Sequence, residues 1–249
     1  MAVRGTALVT GAAKRIGRAV ALKLADAGFD VAVHYGRSEA EAQALADEIA
    51  AKGRAAALVK ADLTKEAEVE RVVAKAASAL GPVSVLVNNA STFRDDRALT
   101  MTRDGWDAHM ETNLRAPLVL AQSFARQAPD GASIVNIVDQ RVWKPNPQFF
   151  SYSLSKAGLW FATRTLAQAL APKIRVNAVG PGPTLASIWQ SPDDFAAEAG
   201  GTLLERGASP EEIAAAVLFL VDSPAVTGQM IAVDGGQHLA WRTPDVLEP

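Results

Sequence analysis

The stretch Ala7 Leu8 Val9 Thr10 Gly11 Ala12 Ala13 Lys14 Arg15 Ile16 Gly17 decides how this sequence is read. A short apolar strand runs into a glycine that permits a tight turn, and a second glycine six residues on lets the next helix lie close to the strand. Free backbone N–H groups at the start of that helix face an anion. Strand, glycine-bearing turn and helix in this order predict a dinucleotide site built on Gly11, Lys14, Arg15, Ile16 and Gly17. A third glycine is usual in such turns, and Arg15 stands in its place.

Outward from this point, apolar segments of strand length alternate with alanine-rich amphipathic segments over the remaining chain. Strands are predicted at Ala7 to Thr10, Asp30 to His34, Ala56 to Val59, Val83 to Asn88, Ser133 to Val138, Ile174 to Ala178 and Met230 to Val233. Helical patterns between them end at Gly28, at Gly53 and at Gly81 with Pro82. Ser209 with Glu212 reads as a capping box that opens the helix Glu211 to Val221. Alternation of this kind predicts an α/β, Rossmann-type, doubly wound fold: a seven-stranded parallel sheet with helices on both faces. The least patterned stretch is Gly180 to Gly207. We read residues 1–249 as a single NAD(P)-binding domain, with a substrate lid at approximately 183–207.

Composition narrows the partners. The 249 residues carry 25 Lys and Arg against 27 Asp and Glu, a net charge of −2, so no global basic field exists to hold nucleic acid or an anionic membrane. Absence of cysteine excludes a disulfide framework, a thiolate nucleophile and cysteine-ligated metals. The longest apolar run, Ile213 to Val221, falls short of the roughly 20 residues that span a bilayer. The first apolar run breaks at Thr10 and Gly11, too early for a secretory signal, so a cytoplasmic location is expected. His34, His109 and His238 lack metal-ligand spacing, and no metal is expected. The five tryptophans, Trp106, Trp143, Trp160, Trp189 and Trp241, are read as core or interface residues.

Choice of dinucleotide is set near the end of the second strand, where an acidic side chain would hold a free ribose 2′-hydroxyl. This chain reads His34 Tyr35 Gly36 Arg37 Ser38 there, with no acid. Arg37, Ser38 and His34, together with Lys14, form a donor set for a 2′-phosphate, which predicts NADP(H) over NAD(H). The other reading of the segment is a solvated basic loop.

Further along stand Asn88 Asn89 Ala90 after the fourth strand, Asn113 in a helical segment, Asp139 at the end of the fifth strand, and Tyr152 with Lys156. Four residues apart, Tyr152 and Lys156 share one face of a helix. An ammonium beside a phenol favours the phenolate and is expected to bring the Tyr152 proton into play near neutral pH. Such a pair alone is equally an ordinary helix surface. Behind a phosphate-binding turn it points to proton transfer.

These motifs, joined by Asp62 after the third strand, Arg175 Val176 Asn177 before Pro181 Gly182, and Val233 Asp234 Gly235 Gly236, resemble the short-chain dehydrogenase/reductase family over essentially the full length. The resemblance implies Asp62, with Leu63, at the adenine, and Asn89, Ala90, Ser91, Pro181 and Gly182 along the cofactor. It implies Tyr152 as proton donor, Lys156 as the ribose contact that tunes it, and Asn113 in support of a water relay. It also implies a homotetramer or homodimer, with the Trp160-bearing helix among the contact surfaces.

One departure is chemical. Thirteen residues before the tyrosine this family usually carries a serine, and here it is Asp139. A carboxylate repels a developing alkoxide but suits hydrogen bonding or proton relay to a nitrogen heterocycle. With Arg15 and the series Ala90 Ser91 Thr92 Phe93, Asp139 makes the chain similar to the pteridine reductase subgroup. That resemblance implies NADPH-dependent reduction of C=N bonds in pterins or folates, with substrate held by Arg15, Ser91, Phe93, Asp139 and Tyr152. Alternatives are an NADPH-dependent carbonyl reductase acting on 3-oxoacyl thioesters and, from another class, a non-catalytic NADP-binding protein. Asp139 has a structural alternative too, as a partner for Arg141 or Lys144; Phe93 has one as a packing residue, and Arg15 as a contact to cofactor phosphate alone. Trp241 or Arg242 in the terminal segment is expected to reach a neighbouring subunit's site.

Overall fold

The computed structural model describes residues 3–187 and 190–241. Seven strands, β1 (Thr6–Val9), β2 (Asp30–Tyr35), β3 (Ala56–Lys60), β4 (Val83–Asn88), β5 (Ala132–Ile137), β6 (Ile174–Pro181) and β7 (Met230–Val233), form one sheet in the order β3-β2-β1-β4-β5-β6-β7. Every pairing is parallel. The helices are α1 (Arg15–Asp26), α2 (Glu39–Ala51), α3 (Glu66–Val69), α4 (Val72–Leu80), α5 (Arg103–Met110), α6 (Ala116–Gln127), α7 (Phe150–Leu170), α8 (Pro192–Gly200) and α9 (Pro210–Asp222). Fold class and strand positions agree with the sequence reading to within a few residues.

Period-two alternation sends the strand side chains to two cores. Val9, Val33, Val87 and Val179 pack under α1, α2 and α9, against Leu24, Leu45, Ile213 and Val217. On the opposite face, Leu8, Leu86, Ile134 and Val176 pack against Val72 and Val73 of α4 and Leu120 and Phe124 of α6. The capping box read at Ser209 and Glu212 forms, with each side chain bonded to the other's backbone N–H, and starts α9.

One expectation is corrected. β6 extends three residues beyond Ala178, because Ala178 to Pro181 pair with Met230 to Val233 of β7; the glycine and proline that interrupt the apolar pattern are carried by that neighbour. Of the four described tryptophans, Trp160 is half-buried and packs against Val138, Leu159, Ala178 and Met230, Trp106 is half-buried, and Trp143 and Trp241 are exposed. Trp189 and Arg242 lie outside the described residues.

The strand order reverses between β1 and β4, and a crevice opens beyond their C-terminal ends. The first turn and the Asn88 Asn89 Ala90 segment meet there.

Candidate active site

The phosphate-binding turn is stitched to its neighbour strand. Thr10 Oγ1 accepts from the backbone N–H of Asn89 (2.9 Å) and Ala90 (3.0 Å), and Asn89 Nδ2 donates to the carbonyls of Thr10 (2.8 Å) and Gly11 (3.2 Å). A Cβ on Gly17 would sit 2.3 Å from the Gly11 carbonyl oxygen and 2.5 Å from Asn89 Nδ2, so only glycine fits where α1 meets the turn. Arg15 adopts a left-handed backbone (φ 54°), a conformation that favours glycine. A side chain there costs about 1–2 kcal/mol. Its guanidinium donates to the carbonyls of Leu185 (3.0 Å) and Ala186 (3.1 Å), crossing from the turn to the segment after β6.

His34 is corrected. Its side chain is buried, with Nδ1 accepting the Gly11 N–H at 3.0 Å and Nε2 3.2 Å from the Ala61 carbonyl. Burial lowers its pKa to about 4, against a hydrogen bond to Ala61 that acts the other way. A neutral ring with both nitrogens engaged offers no cation to a 2′-phosphate; it braces the turn instead. Arg37 is exposed beside it, and Ser38 is the residue before α2. Lys14 reaches Glu41 at 2.7 Å. Asp62 accepts from Thr64 Oγ1 (2.8 Å) and N (3.0 Å), which holds its carboxyl below the usual range. Leu63 is buried beneath.

A cavity of about 450 Å³ runs from this turn to the ends of β5 and α7. Gly11, Lys14, Arg15, Ile16 and Gly17 line one end, and Phe93, Asp139, Tyr152 and Lys156 the other. Asn89, Ala90, Ser91, Pro181 and Gly182 line it between them. His34, Arg37, Ser38, Asp62 and Leu63 lie outside its lining, at the ends of β2 and β3. The open glycine turn, the free helix start and the exposed Arg37 fit a phosphorylated dinucleotide laid across the crevice.

At the far end Tyr152 Oη donates to Asp139 Oδ2 at 2.9 Å, and Lys156 Nζ donates to the Ile137 carbonyl at 2.8 Å. Both side chains come from α7 and both are buried. Tyr152 departs from expectation: burial first, and the Asp139 charge second, push its pKa well above the ordinary tyrosine value, with Arg141 alone opposing. Lys156 lies 5.8 Å from the centre of the Tyr152 ring and does not bring the phenol toward neutral. Its own pKa falls to about 8, through burial, against the attraction of Asp139. Burial and, after it, the aspartate where serine is usual thus hold the phenol in its protonated form.

Asn113 sits in a π-helical turn, Glu111–Arg115, behind the cavity. Its Oδ1 accepts from Thr92 N (2.8 Å) and Ser91 Oγ (3.2 Å), and its Nδ2 donates to Thr92 O (2.9 Å) and Ser155 Oγ (3.1 Å). It ties the Ser91–Phe93 segment to α7. Phe93 stacks on Phe149 at 4.2 Å and meets Tyr152 edge-on at 4.7 Å.

Sequence reasoning missed two side chains that line the same end: Glu198 and Gln237. Arg141, read from the sequence as one alternative partner of Asp139, does pair with it, at 3.2 Å, and lines the same end. Glu198 and Gln237 carried no signal, since they come from elements distant in sequence.

The family model described as enoyl-(acyl carrier protein) reductase matches residues 11–238. The chain is a short-chain dehydrogenase/reductase. This reductase is 35% identical over 241 residues to 3-oxoacyl-[acyl-carrier-protein] reductase of Staphylococcus epidermidis, covering 94% of this chain and 99% of that one. Among solved structures it is similar to FolM alternative dihydrofolate reductase 1 from Brucella suis in complex with NADP, at 48% identity and TM-score 0.94, covering 99% of this chain and 100% of the other. It is also similar to a short chain dehydrogenase from Burkholderia cenocepacia in complex with NADP, at 35% identity and TM-score 0.87, over 93% and 96% of the two chains. No helix among the described residues is long and apolar enough to cross a membrane.

Proposed function

We infer that this reductase uses NADPH to reduce a C=N bond of a pterin or folate-type heterocycle. The observation that carries the reading is the Asp139–Tyr152 hydrogen bond, 2.9 Å long, beside the face of Phe93. Bound across the crevice, NADPH supplies hydride to the carbon of that bond. The adjacent nitrogen takes its proton from the Tyr152–Asp139 pair, and water restores it. Asp139 at this point receives hydrogen bonds from ring N–H groups, whereas it would oppose the oxyanion of a ketone. Phe93 offers a flat bicycle a stacking surface. Lys156, a buried cation at neutral pH, holds ribose hydroxyls, and Arg37, Ser38 and Lys14 receive the 2′-phosphate. Arg15 and Ser91 also contact the substrate, from the turn and from the middle of the cavity, while Asp62 and Leu63 flank the adenine. Asn113 holds the Phe93 segment in register with α7. Similarity to the FolM alternative dihydrofolate reductases supports the substrate class.

The exposed Leu154 and Phe161 on α7 suit contacts between copies of this chain, as a dimer or tetramer. Residues 183–207 serve as the lid.

A second reading, a 3-oxoacyl thioester reductase, is favoured by the 35% identical Staphylococcus relatives. One panel separates them: dihydrobiopterin, dihydromonapterin, dihydrofolate and a 3-oxoacyl thioester, each with NADPH and with NADH. Faster turnover of a dihydropterin or dihydrofolate than of the thioester supports the first reading. Preference for the thioester overturns it.

A further inference from the structure

Arg141 stands in a 3-10 turn, Gln140–Val142, directly after β5 and Asp139. Its side chain is 14% exposed. The Arg141 backbone N–H donates to Asp139 Oδ1 at 2.8 Å and its Nη1 to Asp139 Oδ2 at 3.2 Å. One residue thereby grips both oxygens of the carboxylate that accepts the Tyr152 hydrogen bond. On its other side, Nη2 lies 3.8 Å from Glu198 Oε1. Glu198 is fixed further by Gln190 Nε2 at 2.6 Å and by Gln237 Nε2 at 3.0 Å.

Glu198 belongs to α8, a helix with no buried residue. A helix without a buried face gains little from the hydrophobic effect and depends on its polar contacts for position. Glu198 provides them, and they lead through one guanidinium to the Asp139–Tyr152 pair. A planar guanidinium can bridge two carboxylates from separate elements, which the single-point ammonium of lysine matches poorly.

We propose that Arg141 is a positioning residue of the reduction: with Glu198 it forms a latch between the Asp139–Tyr152 pair and α8, so that seating the helix over the substrate and aligning the pair are one event. The proposal rests on the reading of Asp139 and Tyr152 as the proton-handling pair. The charged and titratable groups facing that pair are Arg141, Lys156 on α7, the His109 ring of α5, 6.1 Å from that of Tyr152, and, beyond Arg141, Glu198. Removing the Arg141 cation takes away the charge that opposes the rise in the Tyr152 pKa.

The chain has two tyrosines, so ¹³Cζ-tyrosine labelling of the full-length protein gives two signals, and Tyr35→Phe assigns the one from Tyr152. That signal, followed against pH, reports the state of the pair without turnover. In Arg141→Met its alkaline inflection, already above the ordinary tyrosine value, moves further up, because the guanidinium is the group that lowers it. At the same time kcat falls on the order of tenfold, and the Kd for NADPH stays within about twofold. Arg141→Lys restores the inflection and leaves the substrate KM raised. Glu198→Gln raises KM about fivefold, more than it lowers kcat, and adds nothing to KM in the Arg141→Met background. An unmoved Tyr152 signal in Arg141→Met overturns the proposal, as does a KM effect of Glu198→Gln that multiplies with that of Arg141→Met. Rates are taken on whichever substrate the wild type reduces, so the substrate panel tests the pterin reading and the Tyr152 signal tests the latch.

Discussion

Tyr152 gives its phenolic hydrogen bond to Asp139, 2.9 Å from Oη to Oδ2, and this one contact sets the acid–base character of the site. The phenol is buried against a carboxylate, and both factors raise its pKa, so it enters the reaction protonated. A serine at 139 would leave the burial of Tyr152 and the opposing charge of Arg141 in place. The aspartate adds to that burial and makes the tyrosine the outer half of a shared-proton pair.

Asp139→Ser therefore lowers turnover of dihydropterins on the order of a hundredfold and leaves ketone reduction equal or higher. Parallel assays on one dihydropterin and one 3-oxoacyl thioester check this. Unchanged pterin turnover would remove Asp139 from the mechanism.

Lys156 gives a pH signature in cofactor binding. Its pKa of about 8 means that the free enzyme carries the buried cation below that pH and loses it above. An anionic phosphorylated cofactor favours the charged form, so affinity for NADPH is full below pH 8 and declines as pH rises through it. Fluorescence titration across pH 6 to 10 is expected to show the break, and Lys156→Met to lack it.

Arg37→Ala tests the choice of dinucleotide. Loss of a charge-assisted hydrogen bond of about 1.5–3 kcal/mol lowers the NADPH to NADH ratio of kcat/KM by roughly tenfold to a hundredfold. A ratio that does not move assigns Arg37 to the solvated surface.

His34→Leu tests the bracing role. The change strands the Gly11 N–H and the Ala61 carbonyl, at about 1–3 kcal/mol for each buried group, and lowers Tm on the order of 5 °C. The NADPH to NADH ratio stays constant, because no charge is lost at the 2′-phosphate. Wild-type stability contributed by the neutral ring is present above the ordinary histidine value of 6.5 and is lost as pH falls from there through about 4. His34→Leu shows no such slope in thermal unfolding between those pH values.

Phe93→Ala removes a stacking surface that touches Phe149 and Tyr152. It raises the KM for a dihydropterin severalfold, with a smaller effect on NADPH affinity. Equal loss of both would mark a general loss of folding.

What was legible from residues was whatever is written locally. Thr10 to Gly17 declared the turn because glycine positions act on the adjacent backbone, and the strands were visible because a fully covered parallel sheet needs continuous apolar runs. Tyr152 and Lys156 were legible as one face because helix periodicity fixes it. β6 was read three residues short, because its last part is held by pairing with β7, about fifty residues away in sequence.

The sequence by itself determined the sheet, its covering helices, the phosphate-binding turn and the set of polar residues brought to one crevice. Only the tertiary structure decided what those residues are to one another. His34 read as a cation, yet burial between two backbone groups makes it a neutral brace. Lys156 read as the tuner of Tyr152, yet burial and then Asp139 set that phenol's pKa. Arg141 was legible as a partner of Asp139, but Glu198 and Gln237, which meet it from two other elements, shared no pattern with it. Protonation and electrostatic coupling depend on desolvation and on distances of a few ångströms, and chain order specifies neither until the fold closes.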